Sequence, residues 1–156
     1  MLRMKILVSA VPVVAAAIFA RIEFFPPAGP CIAINDKTVE IGSAPWHADL
    51  HVSFTDDPAL ATVRVAITEN AETADFAVVD DTDDSDDSAC ETTQTTQFVA
   101  ISAQPSSSSP VIYLSHDDGP ADYRVFVHAK RFSERDAAAL IVGAHGEPPR
   151  LALNAS

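Results

Sequence analysis

A strand-length unit that returns every 13 residues constrains this chain more than any other feature of its sequence. Three copies, Ala48-Asp49-Leu50-His51-Val52-Ser53-Phe54, Ala61-Thr62-Val63-Arg64-Val65-Ala66-Ile67 and Ala74-Asp75-Phe76-Ala77-Val78-Val79, start 13 residues apart, twice over. A fourth, Ala121-Asp122-Tyr123-Arg124-Val125-Phe126-Val127, returns after a longer interval. Each copy is Ala, a small polar residue, then alternating apolar positions. Side chains of a strand alternate between faces, so Leu50, Val52 and Phe54 share one face, as do Val63, Val65 and Ile67. Each copy is therefore predicted to be a half-buried strand. Between copies stand turn-forming stretches such as Thr55-Asp56-Asp57-Pro58 and Asp117-Asp118-Gly119-Pro120. Internal repetition of this kind indicates a β-repeat domain.

The chain has 156 residues, enough for one domain of this kind with tails. Ten basic residues stand against 22 acidic ones, a formal charge of -12. That balance repels phosphate backbones and anionic lipid surfaces, so no nucleic-acid partner is expected.

The N-terminus argues for export. Arg3 and Lys5 precede an apolar run from Ile6 to Ala20, interrupted by Ser9 and Pro12 and closed by Arg21. Its length fits a signal-peptide core better than the roughly 20 residues of a spanning helix. Residues 1–20 are thus expected to be an export signal, cleaved near Ala17 or Ala20, or an N-terminal membrane anchor extended by Ile22, Phe24 and Phe25. Both readings place the domain in the periplasm or cell envelope. Residues 21–30, with Pro26, Pro27 and Pro30, form a stiff spacer.

The β-repeat domain is expected over 31–146. Cys31 to Ile34, a turn at Asn35-Asp36, and Thr38 to Ile41 form an opening hairpin. Residues 80–110 interrupt the repeats as an acidic and Ser-rich insertion around one strand, Phe98 to Ile101, and Val111 to Leu114 form another strand. Ser133 and Asp136 cap a helix through the Ala137 run, ended by Gly143 or Gly146, and 147–156 is a flexible tail. The expected class is mainly β: an antiparallel β-repeat domain with one short C-terminal helix.

The alternating strands of Val63 to Val79 and Val111 to Val127, with the repeated steps Ala74-Asp75-Phe76 and Ala121-Asp122-Tyr123, resemble a family of bacterial β-repeat domains. The resemblance implies a deeply knotted, seven-crossing (septoil) β fold. It covers about half the chain and supplies no catalytic residue.

Candidate sites are few. His47, Asp49 and His51, two residues apart each time, would share the wet face of one strand and could offer Zn²⁺ or Cu²⁺ two imidazoles and a carboxylate. His116, His128 and His145 are the remaining imidazoles. Period two also produces such ladders on any solvated face, where alanine substitution leaves stability nearly unchanged. Asp80, Thr82, Asp84 and Glu91 match positions 1, 3, 5 and 12 of a calcium loop, but Ser85 stands where that loop needs Gly. Asp80 to Asp87 holds six carboxylates in eight positions, which equally describes a solvated loop. Ser115-His116-Asp117 lies adjacent in sequence, without a Gly-x-Ser-x-Gly elbow to present a nucleophile. Trp46 is the single tryptophan, expected to cap the open end of the sheet, with a partner-binding anchor as the other use. Cys31 and Cys90 are expected to pair in an oxidising compartment.

The sequence leads to an exported, non-catalytic envelope domain with a structural or protein-binding role and no cofactor. A metal-binding periplasmic protein using the histidine ladder or the acidic loop is the alternative. Fusing residues 1–30 to a reporter active only outside the cytoplasm is expected to give activity; an inactive, soluble fusion would remove the export reading.

Overall fold

The computed structural model describes residues 29–80, 90 and 92–146. The expected export segment 1–20, the spacer up to residue 28 and the tail 147–156 lie outside the described residues. The strands are β1 (Cys31–Ile34), β2 (Lys37–Ile41), β3 (Leu50–Thr55), β4 (Val63–Thr68), β5 (Phe76–Val79), β6 (Gln97–Ser102), β7 (Val111–Ser115) and β8 (Tyr123–His128). Among the described residues a single α-helix, α1 (Glu134–His145), follows them. The strands make one sheet in the order β1-β2-β6-β3-β7-β4-β8-β5. The domain is mainly β with one short C-terminal helix.

The antiparallel expectation is corrected. Only β1 and β2 pair antiparallel, through the predicted two-residue turn in which Asn35 takes a positive φ of 54°. The other six pairings are parallel. Short connectors pointed to hairpins because parallel neighbours ordinarily need crossovers of a dozen or more residues. Here the stagger removes that need. Phe54 near the end of β3 and Val63 at the start of β4 both pair with Ile112 of β7, so β4 begins level with where β3 stops. Ile41 and Leu50 likewise both pair with Val99, and Ile67 and Phe76 with Val125. Each connector has only to step over one strand, about 10 Å at the usual strand spacing, and seven or eight residues suffice.

The strand stepped over always comes from the other half of the sequence. β2, β3, β4 and β5 run along the sheet at alternate positions, and β6, β7 and β8 fill the gaps. The strand expected within the insertion 80–110 is thus part of the repeat, since β6 lies between β2 and β3. The same 13-residue period runs through both halves. Val39, Val52, Val65 and Val78 recur at it in the first half, Val99, Ile112 and Val125 in the second, and all seven are buried in one core.

That core closes on α1. Ser133 Oγ accepts the Asp136 N–H while the Asp136 carboxylate accepts the Ser133 N–H, the predicted capping box. Gly146, at φ 74°, ends the helix. Every residue from Ala137 to Gly143 is buried, so the middle of the helix has no solvent face, while Arg135 and His145 near its ends are exposed. It touches β1 to β4 and β6 to β8, and its His145 meets Phe76 of β5, so the sheet wraps around it. Small residues make the fit possible: a Cβ at Gly143 would fall 2.5 Å from a methyl of Val99.

The opposite face of the sheet is only in part the wet surface expected from the alternation, with Arg64 exposed on it. Ser53, Ala66 and Ala100 there are buried. Connectors pack over it: the helical turn Pro45–His47 touches β6, and Ala71–Thr73 touches β8. A parallel sheet normally needs both faces covered, and here connectors replace the usual second helical layer.

The small polar residue of each repeat sets the register. Asp49 donates its N–H to the carbonyl of Phe98, and its carboxylate accepts the Phe98 N–H, each at 2.8 Å. Asp75 grips Arg124 in the same way, at 2.8 and 2.7 Å, and Asp122 grips Arg64, at 2.8 Å in both directions. Thr62 does so with its hydroxyl on Val111, at 2.8 and 2.9 Å. Each of these residues occupies both backbone groups of one residue on the neighbouring strand. Three of the four clamps join residues 49 apart and the fourth residues 58 apart.

Asp75→Ala should cost about 1 kcal/mol in urea unfolding, since it removes a hydrogen bond from a solvent-accessible backbone donor. Asp75→Asn keeps an oxygen acceptor and should recover most of that loss. Equal losses in the two variants would shift the effect from the hydrogen bond to the charge.

Candidate functional site: the slot between the sheet edges

The sheet does not meet itself. β1 and β5, its two outermost strands, face each other across a cavity of about 700 Å3. Ile32 and Ala33 line one side and Phe76 and Val78 the other, with Ile141 of α1 and Phe132 also in the lining. β1 opposes β2 in direction while β5 runs with the parallel strands, so the two facing edges have opposite sense. The bond from the Ile41 N–H to the Pro30 carbonyl, 2.9 Å, fixes the phase of the hairpin. Ile32 and Ile34 therefore exchange backbone bonds with β2, and Cys31 and Ala33 turn theirs toward the slot.

Local chemistry holds both walls. Gly29 packs so closely on β2 that a Cβ would lie 2.0 Å from the Ile41 carbonyl oxygen, and its N–H reaches Glu40 Oε1 at 3.0 Å. Glu40, buried on β2, also accepts the Thr92 hydroxyl at 2.8 Å, so one carboxylate fastens the segments flanking both cysteines. Cys31 and Cys90 form the expected disulfide, with a Cα–Cα distance of 6.1 Å, and both line the slot. Closing a loop over a sequence separation of 59 stabilises the fold by roughly 4 kcal/mol in the chain-entropy model. At the end of the other wall, Asp80 accepts the backbone N–H groups of Lys130, at 2.5 Å, and Arg131, at 3.4 Å.

An aromatic group stands at the end of the slot near the C-terminus of α1. The Phe76 ring lies 4.8 Å from His145 and 6.0 Å from Tyr123, and the Tyr123 hydroxyl donates to the Gly146 carbonyl at 3.3 Å. Burial, with the neighbouring Asp122 carboxylate, raises the Tyr123 pKa and keeps that hydroxyl a donor.

The candidate residues read from the sequence are dispersed. The His47, Asp49 and His51 ladder is corrected: His47 belongs to the helical turn before β3, beside an 81% exposed Trp46, and only His51 lies within the strand. The Asp49 carboxylate is engaged by the Phe98 N–H. His116 Nε2 meets Glu134 Oε2 at 2.8 Å, His128 stacks on Phe126, and His145 joins the aromatic group. Asp80 is taken up by backbone donors, while Thr82, Asp84 and Glu91 lie outside the described residues. Among the described residues no three His, Cys, Asp or Glu side chains come together as a metal site. Ser115, His116 and Asp117 form no relay, for His116 turns to Glu134 and Asp117 Oδ1 accepts the Gly119 N–H. Trp46 does not cap the sheet but projects from a connector. The slot itself was missed, because its walls belong to an edge hairpin and a repeat strand that only the strand order brings face to face.

No family model matches the chain, and neither a curated protein nor a solved structure does. No helix among the described residues is long and apolar enough to cross a membrane.

The clamp and the ladder make opposite claims about stability. Alanine at His47 and His51 should change it by less than about 0.5 kcal/mol, whereas Asp49→Ala should cost about 1 kcal/mol. Urea unfolding with and without Zn²⁺ checks this: stabilisation by zinc that the two histidine variants abolish would restore the metal ladder.

Proposed function

We propose that this chain is an exported, non-catalytic envelope domain that binds a protein partner by accepting one extended segment of it between β1 and β5. Membership of the knotted β-repeat family that the repeat resembles belongs to the same proposal. The observation that carries the binding role is the slot: two sheet edges of opposite sense over an apolar floor. An inserted strand would run parallel to one edge and antiparallel to the other, with backbone groups for both. Strand addition draws affinity from main-chain hydrogen bonds and selectivity from alternate side chains. The occupant should therefore carry apolar residues at every second position, directed at Phe132 and Ile141.

The volume supports a single segment. A five-residue strand is about 17 Å long, comparable with the four-residue walls β1 and β5. The acidic balance of the chain disfavours nucleic acid and anionic lipid as alternatives.

A short, fluorescent synthetic peptide of alternating Val and Thr tests the mode. It should bind the oxidised protein, and Ala33→Pro, which removes an exposed β1 backbone donor facing the slot, should weaken binding at least tenfold. The same peptide N-methylated on alternate amides should fail to bind. Equal binding of the methylated and unmethylated peptides would show that main-chain pairing is not used, and the strand-addition reading would fall.

A further inference from the structure

We infer that the Cys31–Cys90 disulfide is a redox latch on the slot: its reduction releases β1 and dismantles one wall while the interleaved sheet stays folded. The inference rests on the slot reading for its functional consequence but not for its structural one.

Every strand from β6 to β8 in the sheet order has a partner on each side, whereas β1 pairs with β2 alone. β1 is four residues long, and none of its residues is fully buried. It lies outside the clamp system, because Asp49, Thr62, Asp75 and Asp122 grip only β4 and the second-half strands β6 to β8. Beyond the hairpin and the packing of Ile32 and Ile34 against the core, what fastens it is covalent. Cys90 precedes β6, which sits between β2 and β3, so the disulfide ties the edge strand to the interior of the sheet. The Glu40 contacts with Gly29 and Thr92 reinforce the same junction, but they hold the segments beside the cysteines and not β1 itself.

Such an element opens at a free energy below that of global unfolding, and the tether sets how far below. Both cysteines line the cavity and are only partly buried, so an external thiol can reach them. The step balances with a dithiol reductant. One thiolate attacks a disulfide sulfur to form a mixed disulfide and expels the other cysteine as thiolate, which takes up a proton. The second thiol of the reductant then displaces the remaining cysteine, leaving the protein with two thiols and the reductant oxidised by two electrons. An inserted strand would then lose one of its two hydrogen-bonding edges.

Amide hydrogen exchange of the full chain, oxidised and after treatment with a dithiol, reads the structural claim directly. Ile32 and Ile34, which pair with β2, should exchange at least tenfold faster once the bond is reduced, while Val52, Val65 and Val99 remain protected. Cys31→Ser should reproduce the reduced pattern without reductant. Protection lost throughout the sheet would make the bond a global staple, and unchanged exchange at Ile32 and Ile34 would make it idle; either result overturns the latch. The alternating Val and Thr peptide separates the two readings. Binding to the oxidised form that weakens tenfold on reduction supports both, and binding indifferent to reduction overturns the latch. Failure to bind the oxidised form, together with faster exchange at Ile32 and Ile34, removes the slot reading and leaves the latch standing.

Discussion

One carboxylate or hydroxyl, placed just before each repeat strand, holds this sheet in register. Parallel strands of four to six residues give each other few hydrogen bonds, and slipping one strand by a residue would carry its valines out of the core. The clamp prevents this by spending both backbone groups of a single neighbour on a single residue. Because Asp49, Thr62 and Asp75 stand at the same repeat position and grip partners at the same separation of 49, one local rule fixes three strand pairs. Everything else follows from that alignment: the buried column of valines, the stagger and the space for the helix.

The stagger in turn explains how a parallel sheet forms without helical crossovers. A strand that begins where its predecessor ends needs only a step sideways, and the connector that makes the step lies across the sheet's outer face. Small residues beneath, Ser53, Ala66 and Ala100, let the connectors approach. The helix answers on the inner face with Ala137, Ala138, Ala139 and Gly143, where larger side chains would hold the sheet open. A layer that is helical in most parallel folds is reduced here to two short turns and a few extended residues.

Much of this was legible in the sequence and some was hidden for identifiable reasons. The opening hairpin, the strands, the capping box at Ser133 and the cysteine pair were visible because each rests on local chemistry or on a count of two. Strand direction was not. Asp56-Asp57-Pro58 and Asp118-Gly119-Pro120 are turn formers in any topology, and nothing local distinguishes a hairpin from a step over a neighbour. The period of Val99, Ile112 and Val125 was present in the sequence, but the acidic run before it broke the count and made β6 look like an excursion. The small polar residue of each repeat was noticed as a pattern, yet its partner lay some 50 positions away. The slot was out of reach for the same reason, being a property of which strands end up outermost.

Interleaving has a consequence for how the chain acquires its structure. In a solenoid each repeat rests on its neighbour, so repeats can be added or removed singly and folding can spread from any point. Here β3, β4 and β5 cannot pair with one another at all, and each waits for strands encoded about 50 or 60 residues later. Those long separations must be closed before any contact rewards them, which places the domain among slowly folding topologies. Neither half is a domain, and no truncation that removes β8 leaves a smaller complete sheet. As the chain is synthesised from its N-terminus, β1 and β2 can pair as a hairpin, but β3, β4 and β5 have no partner strand until the second half arrives.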